Sequence, residues 1–242
     1  MVRTPRPATT GIIIVDKPVG PTSMDVVRVV RRRAGGAKTG HAGTLDPLAT
    51  GVLVVCLGKA TKSVPRIMDT SKRYLAEIDL SAFTTTDDRE GEAHEIIVET
   101  PPDCEMVMQV LQSFVGDIQQ KPPAFSAINI QGKRAYKLAR KGEIVDIPAR
   151  SVRIHDIQLL RYDWPMLTLD IHCGKGTYIR SLARDLGLAL GTGGHLASLR
   201  RTAVGQFTIE KAIPLDDVPQ PLTEENLISL AELEQLYLGE ST

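Results

Sequence analysis

Gly40-His41-Ala42-Gly43-Thr44-Leu45-Asp46-Pro47-Leu48-Ala49-Thr50-Gly51 runs directly into Val52-Leu53-Val54-Val55-Cys56-Leu57. Three glycines and a proline in twelve residues mark an irregular loop, in which backbone can approach a ligand closely and φ can be positive. The apolar run that follows, stopped by Gly58, reads as a strand buried on both faces. A polar loop is therefore fastened to a core strand. It holds one carboxylate, Asp46, and one imidazole, His41, close enough in sequence to face a common ligand. Pro47 pushes Asp46 out of the α region and fixes its own φ, so the backbone beside the carboxylate is stiff. Taken alone, an Asp-Pro between glycines is more often a turn device bonding its own backbone than a reactive group. Partners elsewhere in the chain decide between the two.

The chain has 242 residues, 42% hydrophobic and 24% charged, an ordinary globular composition that fits one large domain or two modest ones. No apolar run has the length of a membrane span, and the first ten residues lack a signal-peptide core. The expectation is a soluble, cytoplasmic protein. Cys56, Cys104 and Cys173 form no C-x-x-C pair, so neither a disulfide framework nor a zinc site is suggested, and they read as buried small hydrophobes. Net charge is zero, yet residues 1–40 hold eight Lys or Arg against two acids, and residues 206–242 one Lys against eight acids. The basic end adjoins the His41/Asp46 loop. Clustered arginines there suit a polyanion, although a solvated helix face gives the same pattern.

Upstream, Gly11-Ile12-Ile13-Ile14-Val15 is of strand length and is stopped by Asp16-Lys17-Pro18-Val19-Gly20-Pro21. Thr22, three residues before Asp25, opens a helix with a capping-box start, running through Val26, Val27 and Val30 to Arg31-Arg32-Arg33. Downstream, residues 60–68 read as helix despite Pro65. Tyr74, Ala76, Ile78 and Leu80 alternate with Leu75, Glu77 and Asp79, which predicts a half-buried strand with Tyr74 on its apolar face. A polar, hairpin-like loop over 84–91 precedes a strand at 94–99. Asp103 then caps a helix whose Met106, Val110, Leu111 and Phe114 share a face. Between Gln131 and Gly142, five cations crowd around Tyr136, a pattern that fits a nucleic-acid backbone contact or a surface turn and short helix. Strands at 152–160 and 167–173 lead into Gly174-Lys175-Gly176-Thr177-Tyr178-Ile179-Arg180. There Thr177 is expected to cap a helix through Leu182, Ala183, Leu186 and Leu190, with Tyr178 and Arg180 in its first turn. Residues 191–194 break that helix, another element begins at 195–201, and an amphipathic helix over 224–238 closes the acidic tail.

Two stretches imitate nucleotide-binding loops and fail on spacing. Gly35-Gly36-Ala37-Lys38-Thr39 lacks the glycine before Lys-Thr, and Gly174-Lys175-Gly176-Thr177 separates the lysine from the threonine. His172 and Cys173 are adjacent on a strand and point to opposite faces, which argues against a shared metal. No metal and no cofactor is expected. One rigid carboxylate without an obvious second acid departs from glycosidase practice. With aromatics and basic patches beside it, it points to chemistry on a nucleoside.

These same residues resemble the TruB family of tRNA pseudouridine synthases, over about residues 11–205. The matching segments are Asp16-Lys17-Pro18-x-Gly20-x-Thr22-Ser23, His41-x-Gly43-x-Leu45-Asp46-Pro47-x-Ala49-x-Gly51, Lys72-Arg73-Tyr74, Pro122-Pro123-x-x-Ser126-Ala127, Gly176-Thr177-Tyr178-Ile179-Arg180 and Leu199-Arg200-Arg201. The resemblance implies cofactor-free isomerisation of a T-loop uridine of tRNA, position 55, to pseudouridine. It makes Asp46 the essential carboxylate, either as nucleophile or as the base that takes a ribose proton to give a glycal. The base must leave its stack, at a cost of a few kcal/mol. By the same resemblance His41 is the gap filler or a phosphate-side partner, Tyr74 stacks on the uracil, Arg180 pairs with Asp46, and Tyr178 and Leu199 line the pocket. Asp88 belongs either to a wider polar network or to a hairpin turn, and Lys17-Pro18 is structural support.

The fold so implied is α+β, the pseudouridine synthase fold, a mixed and largely antiparallel sheet flanked by helices with a central active-site cleft. Residues 1–242 are expected to form a single catalytic domain and to act as a monomer on the tRNA T-arm. Within it, 121–142 would be an RNA-clasping insertion and 206–242 an acidic extension too short for a PUA domain. Phe125, Asn129 and Ser81 stand where the family often has Tyr, Lys and Gly, departures that bear on RNA contact. Two other functions fit the same residues: a tRNA-binding folding chaperone with incidental catalysis, and a hydrolytic nucleosidase.

Overall fold

The computed structural model describes residues 9–125, 129–130, 133–134 and 147–238. In chain order the elements begin β1 (Gly11–Lys17), α1 (Ser23–Arg33), β2 (Thr39–His41), β3 (Thr50–Leu57), α2 (Val64–Asp69), β4 (Lys72–Asp79), β5 (Ala82–Thr84), β6 (Ala93–Glu95), α3 (Cys104–Ser113) and β7 (Gly116–Gln120). They continue with β8 (Asn129–Ile130), β9 (Lys133–Arg134), β10 (Arg150–Asp163), β11 (Met166–Cys173), α4 (Ile179–Leu190), β12 (His195–Val204), β13 (Phe207–Thr208), β14 (Ile213–Pro214) and α5 (Leu230–Leu238). The chain gathers into two compact units, one built from residues up to Arg73 and from Arg200 onward, the other from Tyr74–Leu199. The basic segment read at 131–142 and Ser126-Ala127 of the Pro-Pro motif lie outside the described residues, apart from the backbone of β9.

In the first unit β3 is the central strand. β1 lies antiparallel along it from Gly11 opposite Leu57 to Lys17 opposite Gly51; β2 also pairs antiparallel, and Arg200-Arg201, within β12, run parallel to its start. Mixed pairing of this kind covers both edges of β3. Its faces are covered too, which is why β1 and β3 read as unbroken apolar runs instead of alternating. Ile13, Val15, Leu53, Val55 and Leu57 pack on Val26, Val27 and Val30 of α1. Ile12, Ile14, Val52, Val54 and Cys56 pack on Ile67, Phe207, Leu233 and Tyr237. The start of α1 follows the expected capping box, with Thr22 Oγ1 accepting from Asp25 N and Asp25 Oδ2 accepting from Thr22 N.

The tail is not the single helix expected over 224–238. Thr223 caps a short turn at Glu224–Asn226, after which Ile228 exchanges both backbone hydrogen bonds with Ile12, at 2.9 and 2.8 Å. Pairing with β1 forces extended backbone at that point, and a helix restarts only where Ser229 and Glu232 form a second reciprocal cap. Upstream, Ile213 pairs parallel with Val15, and Arg33 donates to the carbonyls of Leu215, Asp216 and Val218. The acidic tail thus supplies Val218, Leu222 and Leu227 to one face of the core and Leu233 and Tyr237 to the other.

In the second unit β10 is antiparallel to both β11 and β7. Leu167, Leu169, Ile171 and Cys173 of β11 are buried while the residues between them are partly exposed, as the alternation predicts. From Tyr74 onward β4 buries Tyr74, Ala76 and Ile78 on one face. Three expectations are corrected here. The buried face of α3 is set by Val107 and Leu111, one turn apart, whereas Met106 is 45% exposed. The strand expected at 94–99 is only Ala93–Glu95; its last partner bond is Ile96 N to Ser81 O, and Ile97 beyond it is 93% exposed. Cys104 opens α3 on the surface, unlike the buried Cys56 and Cys173, because the residue after an N-cap faces solvent here.

Two outcomes test this packing. Gly51 has φ +97°, and a Cβ there would stand 2.2 Å from the Arg201 carbonyl oxygen, so Gly51→Ala is expected to cost roughly 2–4 kcal/mol, read as a fall in Tm. Truncation after Asn226 removes apolar side chains from both cores together with the Ile12 pairing. Loss of the cooperative unfolding transition is the expected result, whereas a merely appended tail would leave it in place.

Candidate active site

Asp46 sits in a loop whose backbone is accounted for carbonyl by carbonyl. Arg201 Nη2 donates to Gly43 O at 3.1 Å and Nη1 to Thr44 O at 3.4 Å. Ser23 Oγ donates to Leu45 O at 3.0 Å and accepts from Leu45 N at 2.8 Å. Ala49 N donates to Asp46 O at 3.1 Å, and Pro47 O accepts from Gly20 N at 2.9 Å and Lys17 Nζ at 3.3 Å. Since buried backbone groups left unpaired are costly, this set of partners over-determines the loop. It does so with side chains from β1, the start of α1 and β12.

Two of those side chains are buried cations, Lys17 at 0% exposure and Arg201 at 2%. The three protons of the Lys17 ammonium are matched by three carbonyls, those of Pro18 and Pro21 at 2.8 Å and that of Pro47. Burial pulls the Lys17 pKa down to about 8; the Asp46 carboxylate opposes that shift and Arg201 adds to it. Arg201 anchors itself through Nε to Val52 O at 2.8 Å. Beside it Arg200 grips Asp16 with two bonds, at 2.6 and 3.2 Å. His41 ends β2 opposite Val55, its Nδ1 buried without a partner, and burial followed by the Arg201 charge lowers its pKa. The imidazole is therefore neutral at neutral pH. Of the arginines at the end of α1, Arg31 and Arg32 are exposed, while Arg33 is taken up by the tail carbonyls.

The other expected site residues, Tyr74, Tyr178, Arg180 and Leu199, belong to the second unit. Tyr74 lies on the buried face of β4 at 9% exposure, and Leu199 is half-buried in β12. Arg180 is buried in the first turn of α4, where it donates to Asp88 Oδ2 and Thr86 O, both at 3.2 Å, and to Phe125 O at 2.9 Å. Asp88 fills both roles left open for it. Its Oδ2 takes Arg180, while its Oδ1 accepts from Thr86 Oγ1 and Glu90 N and so closes the hairpin turn.

The expected cap of α4 is corrected. Thr177 Oγ1 donates back to Gly174 O at 3.1 Å and closes the Gly174–Thr177 turn, so that Tyr178 becomes the N-cap without a side-chain cap bond. Its peptide is held instead by Gln120, across the sheet in β7. Ser23, Arg201 and Gln120 had no assigned role in the sequence reading. A signal existed for Arg201, an arginine inside an apolar strand pattern, because such a charge is buried only with partners. Gln120 carried none.

Comparison with known proteins bears on the family. The model of the TruB family pseudouridylate synthase N-terminal domain matches residues 31–179, and that of the tRNA pseudouridylate synthase B C-terminal domain matches residues 180–238. A tRNA pseudouridine synthase B of Corynebacterium efficiens is 52% identical over 213 residues, covering 86% of this chain and 72% of the relative. That of Haemophilus influenzae is 43% identical over 235 residues, covering 96% and 74%. Among solved structures, a chain of a Cbf5-Nop10-Gar1 complex aligns with TM-score 0.69 at 33% identity, over 89% of this chain and 56% of its own. A chain of an H/ACA ribonucleoprotein bound to a substrate RNA containing 2'-deoxyuridine aligns with TM-score 0.65 at 31% identity, over 86% and 52%. With two family models together matching residues 31–238, and a relative 52% identical over 213 residues, the chain belongs to the TruB family of pseudouridylate synthases.

Proposed function

We propose that this protein isomerises the T-loop uridine of tRNA, position 55, to pseudouridine without a cofactor, with Asp46 as the essential carboxylate. The observation that carries the reading is the loop of Asp46, in which every carbonyl from Gly43 to Pro47 is received by a partner. A group that attacks or deprotonates one ribose carbon needs such fixed placement, because rate falls steeply with small misplacement. The relatives' name, tRNA pseudouridine synthase B, and the RNA-bound structural neighbour support the choice of RNA.

In this reading the uridine leaves its stack, and its N-glycosidic bond breaks with Asp46 acting as nucleophile or as base toward the ribose. The uracil turns and is rejoined through carbon. Tyr74 stacks on the extruded base, Tyr178 and Leu199 line its pocket, and Arg180 supplies positive charge to the site. His41, held neutral by burial and by Arg201, suits the filling of the vacated stack better than an ion pair with phosphate. Arg31, Arg32 and Lys38, exposed on and after α1, supply charge for a polyanion. The enzyme acts as a monomer in the cytoplasm.

Tritium release from uracil C5 of a T-arm stem-loop RNA tests the reaction. Wild type is expected to release label and Asp46→Asn to release none, with RNA affinity within a few-fold of wild type. Binding by wild type without release would favour an RNA chaperone, and free uracil a nucleosidase; either result sinks the proposal.

The buried lysine gives a second test. Its pKa, about 8 when folded, lies below the ordinary 10.5, so between those values the unfolded chain holds more protons and unfolding free energy rises with pH. Below pH 8 that contribution is gone. Urea titrations should show this rise in wild type and not in Lys17→Met. The same variant leaves three carbonyls without their donor and is expected to lose roughly 2–4 kcal/mol at neutral pH.

A further inference from the structure

We propose that Gln120 is a positioning residue, one that sets the placement of Tyr178 and Arg180 by gripping the peptide groups of Tyr178 from both sides. The proposal rests on the reading of Tyr178 and Arg180 as groups that hold the uridine. Gln120 is the last residue of β7 and has 0% exposure. Its Oε1 accepts from Tyr178 N at 2.8 Å and its Nε2 donates to Tyr178 O at 3.0 Å. One carboxamide thus answers both backbone groups of the residue that caps α4.

Among the described residues no other side chain is seen to hold both backbone groups of Tyr178. Tyr178 has no side-chain cap bond, and Thr177 is turned back on Gly174. An uncapped helix start leaves its first N–H groups to be satisfied from outside and its first turn free to fray. The neighbours of Gln120 continue the splint. Lys121 O accepts from Ser181 Oγ at 2.9 Å and from Arg184 Nη2 at 3.0 Å. Arg150, opposite Gln120 in the β7–β10 register, places its guanidinium 5.0 Å from the centre of the Tyr178 ring and donates to Gly176 O. Backbone and ring of Tyr178 are therefore fixed from adjacent strands, and Arg180 follows two residues later in the same turn. An apolar side chain at 120 would fill the volume but would take away the partner of Tyr178 N and leave Tyr178 O only the bond from Leu182 N at 3.1 Å.

The chemistry of the amide supplies a diagnostic. A glutamic acid has the same donor and acceptor pair when neutral, whereas a carboxylate accepts only and repels Tyr178 O. The measurement is single-turnover tritium release from the T-arm RNA, with RNA affinity and Tm, for wild type, Gln120→Met, Gln120→Glu and Arg180→Lys. Gln120→Met is expected to bind RNA within twofold of wild type and to react on the order of tenfold more slowly per folded molecule. Gln120→Glu should come nearest wild type at the acid end of the pH range and fall toward Gln120→Met as its carboxyl ionises, burial raising and the Arg150 guanidinium opposite lowering the pH at which it does so. A purely structural role would move Tm and leave the rate per folded molecule, and its ratio to wild type across pH, unchanged. A wild-type rate in Gln120→Met alongside a slowed Arg180→Lys overturns the positioning role and leaves the site reading intact; a wild-type rate in Arg180→Lys overturns both. Should Gln120→Met fail to fold, a flat Gln120→Glu ratio across pH overturns the proposal on its own.

Discussion

A buried ammonium holding three carbonyls is the constraint on which the first unit turns. Lys17 ends β1 with no exposure, and its Nζ reaches Pro18, Pro21 and Pro47 at once. Burying a charge is expensive unless each of its hydrogen bonds is made. The turn after β1 and the turn after Asp46 must therefore meet at this point for the charge to be tolerated at all. Gly20 N to Pro47 O and the Ser23 clamp on Leu45 repeat the same junction in neutral form. The site loop is thus locked to β1 and α1 before any ligand is considered.

Arg201 closes the loop from the other side. Its guanidinium spans Val52, Thr44 and Gly43, tying the strand, the loop and β12 to one rigid fork. The cost of this arrangement falls on Gly51, where the Arg201 backbone passes so close that only a glycine fits. Electrostatics follow from the packing. Burial, and after it the Arg201 charge, lowers the His41 pKa, and burial draws Lys17 down to about 8, with Asp46 opposing and Arg201 adding.

The second unit solves the same problem with one buried ion pair and one neutral amide. Asp88 divides its two oxygens between a turn and Arg180, and Gln120 divides its amide between the two backbone groups of Tyr178. In each case a polar side chain with two functions joins a loop to the first turn of α4. The acidic tail is likewise structural in use, since its apolar residues complete both cores of the first unit while its acids among the described residues stay outside.

The local pattern determined much of this. The twin apolar runs at 11–15 and 52–57, the Thr22 capping box, the alternation in β4 and β11 and the stiffness of the Asp46 loop are all properties of neighbouring residues, and the structure has them where the sequence puts them. Two of the departures turn on contacts from distant segments. The helix expected over 224–238 is broken because Ile228 pairs with Ile12, more than two hundred residues away, and the start of α4 is held by Gln120 from another strand while Thr177 turns back on Gly174. The partners of Lys17, Ser23 and Arg201 were equally out of view. Periodicity and capping are written within a few residues and so can be read from the chain alone; which carbonyl a buried side chain reaches is decided by strand pairing between distant segments, and only the tertiary structure holds that.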